Sequence, residues 1–234
     1  MAASKDHKVI DFFSGKPLED IAQERIIRLA PENDGLCMLY ANDKHPNRYF
    51  AMRILCWALR WNGDVIAMVP WLDRLLPCPD IHDSLNGSWQ GYYDPSIDNI
   101  FYDAPLHKIV ELETSLAYFE KHLEETDTPE ENLLQEVPDH IGTHAMLIDN
   151  SNKQVTLTEV ISWRLYEDGH TSATLVNPDE VEETPVLPGD DCLYAAEENP
   201  NFRYFFQRHI ANQIKNEDPE ALAAITVLID DENN

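Results

Sequence analysis

Glycine and basic residues are scarce in this sequence, and long apolar runs are missing altogether. Eight glycines are scattered singly through 234 residues. Neither G-x-x-x-x-G-K-[ST] nor G-x-G-x-x-G occurs, so no loop is built to cradle a phosphate. The longest apolar stretches, such as Val65–Leu72, fall far short of the roughly 20 residues a membrane span needs. Residues 1–8 are polar and carry no apolar h-region, so no secretory signal is expected. Cysteine is sparse as well. Cys37, Cys56, Cys78 and Cys192 are widely spaced without a C-x-x-C pair. That spacing predicts reduced, mostly buried thiols and excludes both a disulfide frame and a thiolate zinc site. There is no G-x-S-x-G elbow, and no cysteine sits among cations that would stabilise its thiolate, so nucleophilic catalysis has no carrier.

The shortage of cations is the largest imbalance. Seventeen Lys and Arg face 43 Asp and Glu, for a net charge of −26. Such a field repels phosphate backbones and argues against nucleic acid as a partner. It favours a basic protein or a cationic small molecule. The plainer reading is a surface kept soluble by charge, with self-repulsion screened over about 8 Å at physiological ionic strength. Together these features predict a soluble, cytoplasmic protein.

Core-forming residues are plentiful: hydrophobic residues make up 43% of the chain, with five Trp, nine Tyr and eight Phe. Their arrangement suggests a unit written twice. Met38-Leu39-Tyr40-Ala41-Asn42 is answered by Met146-Leu147-Ile148-Asp149-Asn150. Trp57-Ala58-Leu59, Asn62-Gly63 and Ala67 are answered at the same internal spacing by Trp163-Arg164-Leu165, Asp168-Gly169 and Ala173. Three weaker matches follow in the same order. Leu76–Asp80 is set against Leu187–Asp191, Phe101–Ala104 against Leu193–Ala196, and Tyr118–Leu123 against Phe205–Ile210.

Each copy opens with a short apolar strand, 36–41 or 144–149. A second strand follows, Ile54–Trp61 or Thr156–Glu167, the latter alternating apolar and mixed residues with period two. Asn-Gly and Asp-Gly supply the positive φ of a tight hairpin and return the chain into Val65–Val69 or Thr171–Val176. A helix is expected after each meander, carrying Leu112, Leu116, Phe119 and Leu123 in the first copy. In the second it would start from Asn199-Pro200 and carry Phe202, Phe206, Ile210 and Ile214. Helices over Pro17–Ala30 and Asp218–Ile229 would flank the pair.

The expected fold is therefore α+β. It comprises an internal duplication of an antiparallel three-stranded β-meander plus helix, pseudo-twofold, with extra helices at the N- and C-termini. Expected boundaries are 1–33 for the N-terminal helical segment, 34–125 for the first repeat and 126–139 for an acidic linker. The second repeat takes 140–216, and a helix with an acidic tail takes 217–234.

The repeat also filters the polar residues. Asp80 and Asp191 share one position and His122 and His209 another, each pair with a structural reading beside the functional one. The aspartates suit turn stabilisation, the histidines a boundary packing role or a facing pair near neutral pKa. Trp89, Tyr92 and Tyr93, flanked by glycines, form the one candidate for an exposed recognition loop. Asp80, His82 and Asp83, with His140 and His144, offer carboxylate and imidazole ligands for a divalent metal, which would support hydrolysis. No established metal-site spacing accompanies them. The leading expectation is a non-enzymatic binding protein that needs no cofactor. A metal-dependent hydrolase and a small-molecule sensor with its ligand between the repeats are the alternatives.

Overall fold

The computed structural model describes residues 24–42, 49–81, 87–119, 133–149, 151, 154–177 and 192–207. Strands dominate these residues, as their content of Val, Ile, Thr, Tyr, Phe and Trp favours. The first half contains β1 (Ile26–Pro31), β2 (Cys37–Asn42), β3 (Tyr49–Arg53), β4 (Cys56–Arg60), β5 (Val65–Trp71), β6 (Arg74–Pro77), β7 (Gly87–Asp94) and β8 (Asn99–Phe101). Helix α1 (Leu106–Phe119) follows. The second half contains β9 (Leu133–Pro138), β10 (Thr143–Asp149), β11 (Gln154–Tyr166), β12 (Thr171–Val176), β13 (Leu193–Ala195) and β14 (Phe202–Gln207).

All pairing between these strands is antiparallel. A central sheet runs β1-β4-β5-β6 and a first flanking sheet β3-β2-β7-β8. A larger sheet runs β13-β12-β11-β10-β14, with β9 also paired to β11. The central sheet is apolar on both faces. Along β4, Trp57 and Leu59 join one core with Met38, Tyr92 and Leu112 of α1, whereas Cys56 and Ala58 join another with Trp163, Leu165 and Phe205. Alternate residues of a strand point to opposite faces, so this sheet is the middle of three layers.

The two halves repeat one pairing scheme. Trp57 stands between Ala30 of β1 and Ala67 of β5, and Trp163 between Val137 of β9 and Ala173 of β12. The Glu32 amide donates to Leu55 O at 3.0 Å, and the Asp139 amide to Ile161 O at 2.8 Å. The repeat extends to an irregularity. Between Leu39 and Tyr40 the register against β7 steps from Gly91 to Trp89, and between Met146 and Leu147 the register against β14 steps from Tyr204 to Phe202. Trp57 meets Tyr92 at 5.1 Å and 64°, and Trp163 meets Phe205 at 4.9 Å and 60°. Both hairpins close through three residues instead of the tight turn expected. The amides of Gly63 and Gly169 donate to Arg60 O and Tyr166 O, both at 2.9 Å. Each glycine takes the left-handed position, at φ 91° and 87°.

Four expectations need correction. The fold is not α+β with terminal helices but mostly antiparallel β-sheet, with one helix of several turns among the described residues. Phe202–Gln207, expected to start a helix, is strand β14. Its dense aromatic run favours a strand, Phe205 packs on Trp163, and Gln207 is buried. Residues 26–30, expected to end the N-terminal helix, form β1, because Ile26 and Ile27 suit a strand paired along β4. The Asp218–Ile229 helix lies outside the described residues, as does Leu187–Asp191. The counterpart of the short 3-10 turn at Cys78–Asp80 is instead the turn at Ala196–Glu198, and Leu193–Ala195 answers β6, not residues 101–104.

Side-chain amides join the halves where backbone pairing stops. Gln135 accepts from Leu29 N–H at 2.9 Å and donates to Leu29 O at 2.6 Å. Gln207 treats Arg53 the same way, at 2.9 and 2.7 Å. Each glutamine thus acts as a one-residue strand. The rows on the face opposite the two tryptophans differ, however. Leu29, Ala58 and Ile66 stand side by side in the first half, where the corresponding positions of the second hold Glu136, Arg164 and Ser172.

Gln207→Ala would remove a buried side chain and both of its hydrogen bonds to the Arg53 backbone. It is expected to lower the stability measured by chemical denaturation by about 2–4 kcal/mol.

Candidate functional site: an acidic cleft at the start of the helix

The site begins with the turn between β1 and β2, Pro31-Glu32-Asn33-Asp34-Gly35. The Glu32 carboxylate is buried, accepts the Trp57 indole N–H, and receives the amides of Asp34 and Leu36. The second half repeats the device as Pro138-Asp139-His140-Ile141-Gly142. There Asp139 accepts the amides of Ile141, Gly142 and Thr143 at 3.2, 2.9 and 3.0 Å, and the Trp163 indole at 3.1 Å. Among the described residues, only the first loop is met by a helix. Lys108 of α1 reaches Asp34 at 3.2 Å and lies 3.8 Å from both Glu32 and Glu111, with its side chain 4% exposed. A buried ammonium among carboxylates holds only while its partners remain.

Beside this lock, Asp34, Asp94 and Asp103 with His107 line an open cleft of about 480 Å³ over Leu36, Phe101 and Pro105. His107 Nε2 stands 2.8 Å from Asp34 Oδ2. That hydrogen bond, assisted by Lys108, holds the Asp34 carboxyl below the ordinary carboxylate range. Because the folded pKa is depressed, the pairing stabilises the fold above the ordinary carboxylate pKa. Its contribution is lost as pH falls through the folded value. The Asp34 side chain is 49% exposed, so solvent screening keeps this contribution small. The cleft is anionic with an apolar floor, chemistry that suits a cationic group carried on an apolar stem.

Of the residues singled out from sequence, those that the structure describes do not line this cleft. Trp89 and Tyr92 belong to strand β7, not to an exposed loop. Tyr92 is 2% exposed, and Trp89 packs on it at 5.2 Å with its indole N–H buried and unpartnered. Burial pushes the Tyr92 hydroxyl pKa up. The bulged pairing with β2 turns both rings into the core. Tyr93 is half-buried and donates its hydroxyl to Asp98 at 3.0 Å. Asp80 pairs with Arg60 at 3.4 Å. His82, Asp83, His122, Asp191 and His209 lie outside the described residues.

Of the remaining metal-ligand candidates, His140 is exposed. His144 is buried, with Nδ1 3.1 Å from Gly142 O, its ring 5.6 Å from Phe206, and Nε2 3.8 Å from Glu159. Among the described residues, no group of three or more His, Cys, Asp or Glu is placed to hold a metal ion. Sequence reasoning missed Glu32, Asp34, Asp94, Asp103, His107 and Lys108. A signal for the first was available in the repeated Pro-acid-x-x-Gly.

No family model, curated protein or solved structure matches this chain.

Two outcomes follow from the lock. Lys108→Met is expected to cost about 3 kcal/mol in chemical denaturation, by leaving buried carboxylate charge without its cation. His107→Ala should move the Asp34 pKa up toward the ordinary carboxylate value in a carboxyl NMR titration. An unmoved titration would mean that Lys108 alone holds Asp34 down.

Proposed function

We propose that this protein is a non-enzymatic, cytoplasmic binding protein whose acidic cleft receives the cationic group of a partner. One observation carries the reading. Three aspartates line one open cleft; Asp34 is paired with His107 and the buried Lys108, and Asp94 and Asp103 are not among the carboxylates that Lys108 holds. The field of a chain with net charge −26 extends the same preference over the whole surface and steers cations toward it. The Trp89–Tyr92 segment, the first candidate for a contact surface, is committed to packing, so the proposed contact lies at the cleft. Among the described residues no helix is long and apolar enough to cross a membrane.

Titration calorimetry of the full chain with oligolysine tests the reading. Binding is expected at low salt. It should weaken as the screening length contracts from about 30 Å at 0.01 M ionic strength to about 8 Å at 0.15 M. Asp94→Asn with Asp103→Asn should lower the affinity on the order of fivefold. Equal affinity in wild type and double variant would remove the cleft from the account.

A further inference from the structure

Exposed apolar side chains, together called the shelf here, stand on the segment that lines the cleft. Ile100, Tyr102, Leu106 and Val110 are all exposed, Tyr102 at 65% and Leu106 at 74%. Leu106 and Val110 lie one turn apart on the same face of α1. Ile100 and Tyr102 close together over Gly91. A Cβ at that glycine would meet Ile100 Cγ2 at 3.0 Å and Tyr102 Cε1 at 3.2 Å. The same short segment builds both features, for Phe101, Asp103, Pro105 and His107 line the cleft while their neighbours Tyr102 and Leu106 stand outside it.

Charge selects what covers this shelf. From Asp94 to Glu113 the chain carries the carboxylates of Asp94, Asp98, Asp103, Glu111 and Glu113. Its basic side chains there are His107, occupied by Asp34, and Lys108, which is buried. A second copy of this chain would bring another −26 charges to an anionic surface and be repelled. A simple polycation would satisfy the cleft and leave the shelf in water.

We propose, resting on the cationic reading of the cleft, that its partner is a basic amphipathic segment of another protein. A lysine or arginine of that segment enters among Asp34, Asp94 and Asp103, and its large apolar residues cover Tyr102, Leu106 and Val110. Anchors spaced along an amphipathic segment meet a groove in this way, and the charge sets encounter rate and orientation.

The test uses the full chain and three labelled probes followed by fluorescence anisotropy. They are an amphipathic lysine–leucine peptide, an oligolysine of equal charge, and the first peptide with glutamine replacing lysine. The amphipathic peptide is expected to bind at least about tenfold more tightly than oligolysine. Leu106→Ser with Val110→Ser should erase that advantage while leaving oligolysine affinity unchanged. Both substitutions are at exposed sites, and a circular-dichroism melt matching wild type confirms the fold. The glutamine peptide should bind at least about tenfold more weakly than its lysine parent. Equal binding of the two cationic probes, an unaffected serine variant, or a serine variant weakened equally toward both would overturn the shelf alone and leave the cleft standing. Tight binding of the glutamine peptide, or concentration-dependent self-association through the shelf, would overturn the choice of partner. If neither cationic probe binds, the cleft reading itself falls.

Discussion

Two tryptophans set the terms for everything around them. Trp57 and Trp163 are 0% and 1% exposed, and an indole N–H sealed in a core without an acceptor costs about 1–3 kcal/mol. Glu32 and Asp139 meet that demand, and each carboxylate also gathers amides of the following turn. One acidic side chain thereby couples the centre of the core to the path from β1 into β2, or from β9 into β10. In the second half three amides and the indole occupy the carboxylate. In the first, Lys108 of α1 comes in as well, so α1 is seated by the charge that the tryptophan required. The cleft is a by-product of that seating, because α1 carries His107 up to Asp34.

What could be read in advance was local. Asn62-Gly63 and Asp168-Gly169 announced hairpins through the one residue type that takes φ near +90° without strain. Period-two alternation announced β11, and the stripe through Leu112 announced α1. Where the reading failed, tertiary contact outweighed spacing. Phe202 and Phe206 stand four apart, as on a helix. Phe205 lies between them, however, and it is the residue that Trp163 requires, which selects the extended form. Trp89 and Tyr92 resembled a recognition loop because glycines flank them. Gly91 instead marks a bulge that aims both rings inward.

The cleft was illegible for a different reason. Asp34 lies in a loop 60 residues before Asp94, at a strand end, and Asp103 on the approach to the helix follows nine residues later, so pairing in the flanking sheet is what brings the first to the other two. Composition announced the acidity of the chain but not where it converges. The repeated Pro-acid-x-x-Gly was a better clue than any histidine cluster. Its spacing recurs in both halves, and it leads straight to the buried carboxylate beside the cleft.

On the face opposite the two tryptophans the halves are not equivalent, and that gives the pair a direction. Leu29, Ala58 and Ile66 of the first half face the core shared with the second. At the matching places stand Glu136, Arg164 and Ser172, with the Glu136 carboxylate 3.6 Å from the Arg164 guanidinium and Ser172 buried. Repeat proteins grow by presenting each new member with the face that received the last, and they stop when a terminal member turns polar. The second half carries an ion pair and a serine where the first carries Leu29, Ala58 and Ile66, so a copy of the first half could not pack on this row through the apolar contact that joins the two halves.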